Sequence, residues 1–163
     1  MIDVPNPPNR VLPTRLGIVS LAAIAAAGAT AAPYALAAKA KSRTLSASGE
    51  LVRTARPTAH STVQAGTVRG KPFGSGTMVL RSSLKQATVT STFTLQTSAG
   101  LVRGRATARL TLDGDTATYK GTATITSGTR RYRGAAGSNI RFTGVGPVSA
   151  KRTKITLSGT VRY

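Results

Sequence analysis

The amino-acid sequence predicts an all-β protein, an eight-stranded antiparallel β-barrel, and three observations support this. From Leu45 to the end of the chain, short runs of alternating polar and apolar residues are separated by Gly, Pro, Asp and Ser, with no segment of helical period. The apolar face of these runs consists largely of Ala, Val, Leu and Gly, which suit the tightly curved interior of a small barrel. Glycines also interrupt several strands, where a sheet can bend sharply. A sandwich of two sheets is the alternative.

The first 37 residues have the pattern of a secretory signal peptide. Arg10 and Arg15 precede a continuous apolar run at 16–32, and Ala35 and Ala37 occupy the positions that a signal peptidase recognises. We therefore expect cleavage after Ala37, which makes the mature protein secreted or associated with the cell envelope. An uncleaved membrane anchor is the alternative, because the apolar run is near the lower length limit for spanning a bilayer.

The rest of the chain divides into a linker and one domain. Residues 38–44 are expected to form a basic linker, and residues 45–163 are expected to form the barrel. The candidate strands, in chain order, are 45–53, 60–69, 75–82, 86–97, 100–112, 115–126, 139–145 and 152–163. The chain contains no cysteine. An exported protein without disulfides gains from a closed sheet that leaves no edge exposed, which favours the barrel.

Two hairpins in the middle of the chain have a predicted register. Asp113-Gly114 is typical of a two-residue hairpin turn and would place Leu112 opposite Asp115. A turn at Ser98-Ala99 aligns the preceding pair of strands in the same manner. In both hairpins the apolar residues then fall on one face, and a shift of one residue would move them to the other face. The three strands are therefore predicted to form a meander.

The segment from Ser127 to Gly137 differs from the other connections. Thr129 is a favourable helix N-cap, and Gly134 can end a helix in the left-handed region. The residues between them leave room for one helical turn. We expect this turn to cover one rim of the barrel, with Tyr132 packed on the end. An ordinary glycine-rich loop is the alternative.

Around this segment the sequence resembles the allene oxide cyclase and dirigent barrel superfamily. The resemblance lies in Gly121-Thr-Ala-Thr-Ile-Thr126, in Ser127-Gly-Thr-Arg-Arg-Tyr-Arg-Gly-Ala-Ala-Gly137 and in Phe142-Thr-Gly144. Ser127 and Arg130 stand where the family usually has glycines, and Ala136 where it has a basic residue. The resemblance implies an eight-stranded barrel with an apolar lumen open at one end. It also implies an alternative function, an isomerase (cyclase) or dirigent-type enzyme acting on a small hydrophobic substrate inside the barrel.

The residues themselves predict no catalytic group, no metal site and no cofactor. The acidic residues after the leader are Glu50, which should point outward, and Asp113 and Asp115, which belong to a hairpin turn. His60, the single histidine, is expected on the surface. The lack of cysteine excludes thiol catalysis, and one histidine does not make a usual zinc site.

The lumen is expected to be lined by larger apolar and aromatic side chains. They are Phe93, Leu110, Tyr119 and Phe142. Two interpretations of these residues are open. They surround a small apolar ligand, or they fill the interior, as side chains normally do in an eight-stranded barrel.

The chain is strongly basic, with 23 Lys and Arg against 4 Asp and Glu, a net charge of +19. Two outer faces concentrate this charge: Arg103, Arg105, Arg109 and Lys120 on one, Arg152, Lys154 and Arg162 on the other. A field of one sign attracts polyanions without a specific site, so we expect weak adsorption to anionic cell-envelope polymers. A solvated face that keeps the protein soluble is the alternative. Sequence-specific nucleic-acid binding is not expected, because the few aromatic residues fall on the inward face.

Overall fold

The computed structural model describes residues 40–163, which form one closed antiparallel barrel of eight strands. The strands are β1 (Ser42–Thr58), β2 (Ser61–Lys71), β3 (Gly74–Lys85), β4 (Thr88–Thr97), β5 (Gly100–Asp113), β6 (Thr116–Gly128), β7 (Gly137–Pro147) and β8 (Arg152–Arg162). Each strand pairs with the next along the chain, and β1 pairs with β8 to close the sheet. The predicted eight-stranded antiparallel barrel is confirmed, and the sandwich is excluded.

The predicted boundaries hold for most strands, and the largest difference is at β1. This strand begins at Ser42, so the last three residues of the expected linker lie in the sheet, paired with the end of β8. It also continues to Thr58, past its predicted end, because register shifts after Arg53 and Ala55 bend it without breaking its pairing to β2. The predicted signal peptide lies outside the described residues. Within residues 40–163, no helix has the length and apolar character needed to span a bilayer.

The register of the central meander is correct for one hairpin and wrong by two residues for the other. Leu95 lies opposite Val102, as the Ser98-Ala99 turn predicts. In the next hairpin, however, Asp113 pairs with Thr116 and Leu112 pairs with Ala117, so the turn is Gly114-Asp115. Gly114 has a φ of 55°, which fits the first central position of a type II′ turn. Because the shift is an even number of residues, every side chain keeps its predicted face.

Alternate residues of all eight strands point into the barrel and form one core. The larger buried side chains are Leu45, Leu51, Val68, Phe73, Met78, Leu80, Phe93, Leu95, Val102, Ile125, Tyr132, Ile140, Phe142, Ile155, Leu157 and Val161. The outward residues of the same strands are mainly Thr, Ser, Arg and Lys and are exposed. This strict division places the aromatic side chains inside and the charge outside, as the sequence predicts.

One end of the barrel is closed by the segment between β6 and β7, which contains a 3₁₀ helix at Arg130–Tyr132. The predicted turn with Tyr132 packed on the end is confirmed. The Tyr132 side chain is 2 % exposed, and its ring meets the ring of Phe73 edge-on at a centroid distance of 5.1 Å. Gly134 has the expected left-handed conformation, with a φ of 75°. The Thr129 hydroxyl does not cap the helix and instead accepts a hydrogen bond from the Leu101 N–H at 3.1 Å.

Candidate functional site

The end of the barrel opposite Tyr132 contains a cavity of about 300 Å³. It lies at the end where β1 joins β2, β3 joins β4, β5 joins β6 and β7 joins β8. The β1–β2 and β7–β8 connections line its entrance, and at the other two hairpins the strand ends line it. The volume is at the lower limit of the roughly 300–1,000 Å³ found for pockets that take small molecules. The barrel is therefore closed at one end and hollow at the other.

Most of the cavity wall is apolar. The larger apolar side chains that line it are Leu80, Leu84, Val89, Leu110, Phe142 and Ile155. Small residues leave the space between them: Ala117 and Gly146 occupy inward positions on β6 and β7 where a larger side chain would fill the lumen. The cavity is thus a consequence of small inward residues at this end of the sheet.

A belt of uncharged polar groups interrupts the apolar wall. The Gln64 Nε2 donates a hydrogen bond to the Thr153 Oγ1 at 3.0 Å, and the Oγ atoms of Ser82 and Ser91 lie 2.8 Å apart. Thr153 and Ser91 are buried, and all four residues line the cavity. Because these groups satisfy one another in pairs, they can stay inside the lumen at little cost. The half-buried Tyr119 also lines the cavity and makes no side-chain hydrogen bond within residues 40–163.

The residues of this polar belt were not among those predicted to line the lumen. Thr153 lies two residues before Ile155 and therefore on the inward face of β8. Gln64 likewise lies four residues before the buried Val68 on β2. The alternation of the strands was thus sufficient to place both residues inside. Their pairing was not evident, because it joins strands that are distant in sequence.

Three of the four predicted lumen residues line the cavity, and the fourth does not. Leu110, Tyr119 and Phe142 contribute to its wall. Phe93 is buried in the filled half of the barrel, where its ring lies against Gly104 so closely that a Cβ at that glycine would overlap it. Phe93 therefore supports the core and not the cavity, because its position on β4 is nearer the closed end.

The entrance of the cavity combines cationic and apolar side chains. Arg53, Arg56 and His60 line it, and the Arg56 Nη2 donates a hydrogen bond of 2.8 Å to the Ala59 carbonyl oxygen. His60 is exposed, as expected. Leu112 and Val148 also line the entrance, and both are exposed in spite of their apolar character.

The acidic residues of the described chain do not line the cavity. The Glu50 Oε1 lies 3.0 Å from the Arg152 Nη1 on the outside of the barrel. The Asp115 carboxylate accepts hydrogen bonds from the Ser149 hydroxyl at 2.5 Å and the Ser149 N–H at 3.0 Å. These hydrogen bonds hold the pKa of Asp115 below its usual range, and the bond from the Ser149 hydroxyl has the larger effect. Within residues 40–163, no three residues among His, Asp and Glu lie together as metal ligands would.

The first predicted basic face is present on the outside of β5 and β6. Arg103, Arg105 and Arg109 are exposed, with Thr94, Thr92 and Thr88 opposite them on β4. Arg109 lies directly opposite Lys120 on β6. Like charges directly opposite each other destabilise a sheet, and the described chain places no carboxylate in this row. This row of the sheet also contains Lys85, on the far side of Thr88.

The second predicted basic face is separate and partly neutralised. Arg152, Lys154 and Arg162 are exposed on β8, which is separated from β5 by two strands on one side of the barrel. Arg152 forms the ion pair with Glu50, and Lys154 lies opposite Glu50 in the sheet. The structure therefore does not unite the predicted polyanion contacts into one surface.

No family profile matches the chain, and no curated protein matches it. A solved structure named pyocyanin demethylase is similar to 72 % of this chain and 98 % of its own, with 16 % sequence identity and a TM-score of 0.40. A similarity this weak carries no information about activity. The eight-stranded antiparallel barrel therefore rests on the structure of the chain itself.

Proposed function

We propose that the protein is an exported, non-catalytic barrel that binds a small apolar ligand in its lumen. The observation that carries this proposal is the cavity at the open end, with its apolar wall and its self-paired, uncharged polar belt. A preformed concave apolar site with a few convergent polar groups is the usual form of a small-molecule site. Export is supported by the signal-peptide pattern of residues 1–37.

The chemistry of the cavity defines the ligand class. Its volume of about 300 Å³ suits a small molecule or one segment of a chain-like molecule. The apolar side chains favour a hydrocarbon body, whereas the Tyr119 hydroxyl and the Gln64–Thr153 pair suit one hydroxyl or carbonyl group on it. A ligand with a charge deep in the lumen is disfavoured, because the polar belt has no group of opposite charge to pair with it.

A fluorescent fatty acid tests this proposal. We expect saturable binding that a non-fluorescent fatty acid displaces. Leu110→Trp places a larger side chain in the cavity and should weaken binding at least about tenfold, since the added ring competes with the ligand for the same space. The chain contains no other tryptophan, so the emission of the new indole also reports on the occupied lumen. Val145→Trp, on the exposed outer side of β7, is the matched control.

Two results would contradict the lumen proposal. One is binding that the non-fluorescent fatty acid does not displace. The other is equal binding by the Leu110→Trp and Val145→Trp variants, which would place the ligand outside the cavity.

The enzymatic alternative rests on the resemblance to the allene oxide cyclase and dirigent superfamily. The lining of the cavity favours binding over catalysis, because the ionisable groups among the described residues that line it are Tyr119 in the wall and Arg53, Arg56 and His60 at the entrance. General acid–base catalysis would have to use one of these. A stereochemically biased product from epoxide cyclisation or phenoxy-radical coupling, lost in Tyr119→Phe or His60→Gln, would establish the enzyme and overturn the non-catalytic proposal.

A second property, weak adsorption to anionic cell-envelope polymers, is favoured by the β5–β6 face. Arg109 and Lys120 lie opposite each other without a carboxylate in their row, so a bound anion would relieve their repulsion. We expect retention on a heparin resin, and elution at lower salt for the triple variant Arg103→Gln, Arg105→Gln, Arg109→Gln. The control triple variant carries Gln at three exposed arginines elsewhere, Arg69, Arg131 and Arg133. Equal elution of the two triple variants would show that net charge, and not this face, causes retention.

A further inference from the structure

The entrance of the cavity carries apolar side chains that are largely exposed to solvent. Residues 40–163 contain four exposed larger hydrophobic side chains: Val52, Leu112, Val145 and Val148. Two of them, Leu112 (60 % exposed) and Val148 (49 % exposed), line the entrance. The other two point outward from the wall strands β1 and β7 and do not line the cavity.

Backbone hydrogen bonding positions both entrance residues. Leu112 is in the last part of β5, opposite Ala117 in the sheet. Val148 is in the β7–β8 connection, and its N–H donates a hydrogen bond of 2.6 Å to the Asp115 carbonyl oxygen. The Asp115 carboxylate in turn binds Ser149. The β5–β6 turn and the β7–β8 connection therefore present their apolar side chains together at the rim.

Cations lie at three of the four hairpins that form this rim. Arg53 and Arg56 line the entrance, Lys85 ends β3, and Lys151 is in the β7–β8 connection. None of these four side chains forms an ion pair within residues 40–163. The ion pair found there joins Arg152 to Glu50. The two carboxylates at this end, Asp113 and Asp115, both belong to the β5–β6 hairpin, and Asp115 is engaged by Ser149. Cations therefore outnumber anions around the rim.

We propose that the open end of the barrel docks on an anionic lipid surface. Exposed apolar side chains on a rim where cations outnumber anions match the two layers of such a surface, acyl chains below and anionic headgroups above. A polyanion in solution would satisfy the cations but would leave Leu112 and Val148 in water. Docking in this orientation also makes the apolar lumen continuous with the bilayer, so that a ligand passes between them without crossing water. This last step rests on the proposed lumen function, whereas the docking itself does not.

Sedimentation with lipid vesicles tests the docking. The chain from Ala38 onward contains the whole closed barrel and its core. We expect it to bind vesicles of phosphatidylglycerol and phosphatidylcholine much more strongly than vesicles of phosphatidylcholine alone. The double variant Leu112→Ser, Val148→Ser should bind at least about tenfold more weakly, because it removes the apolar contact with the bilayer. Val52→Ser, Val145→Ser is the matched control, with two exposed side chains on the wall, and should bind like the parent.

A second pair of variants tests the rim cations. Lys85→Glu, Lys151→Glu reverses two charges at the rim and should lower binding to anionic vesicles at least about tenfold. Arg131→Glu, Arg133→Glu makes the same change in net charge at the closed end, where both side chains are exposed, and should have an effect no larger than about threefold. Circular dichroism confirms that each variant keeps its β structure.

The outcomes separate the docking from the lumen proposal. Equal vesicle binding by the rim and control variants overturns the docking, whatever the fatty-acid assay shows. Loss of vesicle binding in Lys85→Glu, Lys151→Glu with unchanged fatty-acid binding in solution supports it, since neither lysine lines the cavity. Rim-dependent vesicle binding by a protein that binds no fatty acid supports docking and contradicts the lumen function. Binding that depends instead on Arg103, Arg105 and Arg109 assigns the lipid contact to the wall and overturns docking through the open end.

Discussion

The closure of one end of the barrel by Tyr132 can be tested by removing its hydroxyl and then its ring. The Tyr132 hydroxyl donates a buried hydrogen bond of 3.1 Å to the carbonyl oxygen of Phe73. The Thr97 Oγ1 donates a hydrogen bond of 3.3 Å to the same hydroxyl. Tyr132→Phe leaves that carbonyl without this donor, and an unsatisfied buried acceptor costs about 1–3 kcal/mol. We therefore expect the free energy of unfolding to fall by about 1.5 kcal/mol.

Removing the ring as well should have a larger effect. The ring packs edge-on against the rings of Phe73 at 5.1 Å and Tyr163 at 5.3 Å, and the side chain is 2 % exposed. Loss of a buried aromatic side chain costs about 3–5 kcal/mol. Tyr132→Ala should therefore lower the free energy of unfolding by about 4–5 kcal/mol in total, the lost hydrogen bond included.

Urea denaturation followed by circular dichroism measures both effects. With an m-value of about 1.5 kcal/mol/M, the loss expected for Tyr132→Phe lowers the urea midpoint by about 1 M. Tyr119→Phe is the control, because the Tyr119 hydroxyl is at the cavity and makes no side-chain hydrogen bond within the described chain. We expect its midpoint to be within about 0.3 M of the parent. If Tyr132→Phe shifts the midpoint no more than Tyr119→Phe does, the hydroxyl does not secure the closed end.

Three further predictions concern the backbone and the pH dependence of stability. Arg130→Gly should raise the free energy of unfolding by about 0.5–1 kcal/mol in the same urea assay, because Arg130 has a φ of 52° that favours glycine. Gly121→Ala should lower the free energy of unfolding by about 3 kcal/mol, because a Cβ at position 121 overlaps the backbone of β5. Gly144→Ala should lower it by less than about 1 kcal/mol, because a Cβ at position 144 is 3.3 Å from the Tyr119 ring. The depressed pKa of Asp115 stabilises the fold above the unfolded-state pKa, and this contribution is lost as the pH falls through the folded-state pKa. Asp115→Asn should therefore show a shallower loss of stability than the parent in acid; parallel curves would contradict this.

The sequence was sufficient to predict the fold, because the alternation of polar and apolar residues shows which side chains of each strand point into the barrel and which point outward. It was not sufficient for the register of the β5–β6 hairpin. Both the predicted turn at Asp113-Gly114 and the observed turn at Gly114-Asp115 keep Leu110 and Leu112 on the inner side, since the two registers differ by an even number of residues. Alternation cannot distinguish the two registers. The observed one has Gly114, with its φ of 55°, at the first central position of the turn. The register also determines the outer face, because the observed one places Arg109 opposite Lys120, whereas the predicted one places it opposite Thr118.

The candidate site was harder to predict than the fold because it depends on pairs that are distant in sequence. The Gln64–Thr153 hydrogen bond joins residues 89 positions apart, and the Tyr132–Phe73 bond that closes the other end joins residues 59 positions apart. Alternation shows that such residues point inward, but it contains no information about their height along the barrel. That height decides which inward residues fill the closed half and which line the cavity, as the different positions of Phe93 and Leu110 show.

The same kind of residue therefore has opposite effects at the two ends of this barrel. In the closed half, Gly104 makes room for the ring of Phe93, and the space that a small residue leaves is filled by a large one on the neighbouring strand. In the open half, Ala117 lies between Leu112 and Gly146, so the small methyl group of Ala117 has a neighbour on β7 that has no side chain at all. Leu112 in turn extends to the rim, where it is 60 % exposed, and does not fold back to fill the gap. Small inward residues thus produce tight packing where a large partner faces them and a cavity where none does, so it is the pairing across strands that determines where this barrel is hollow.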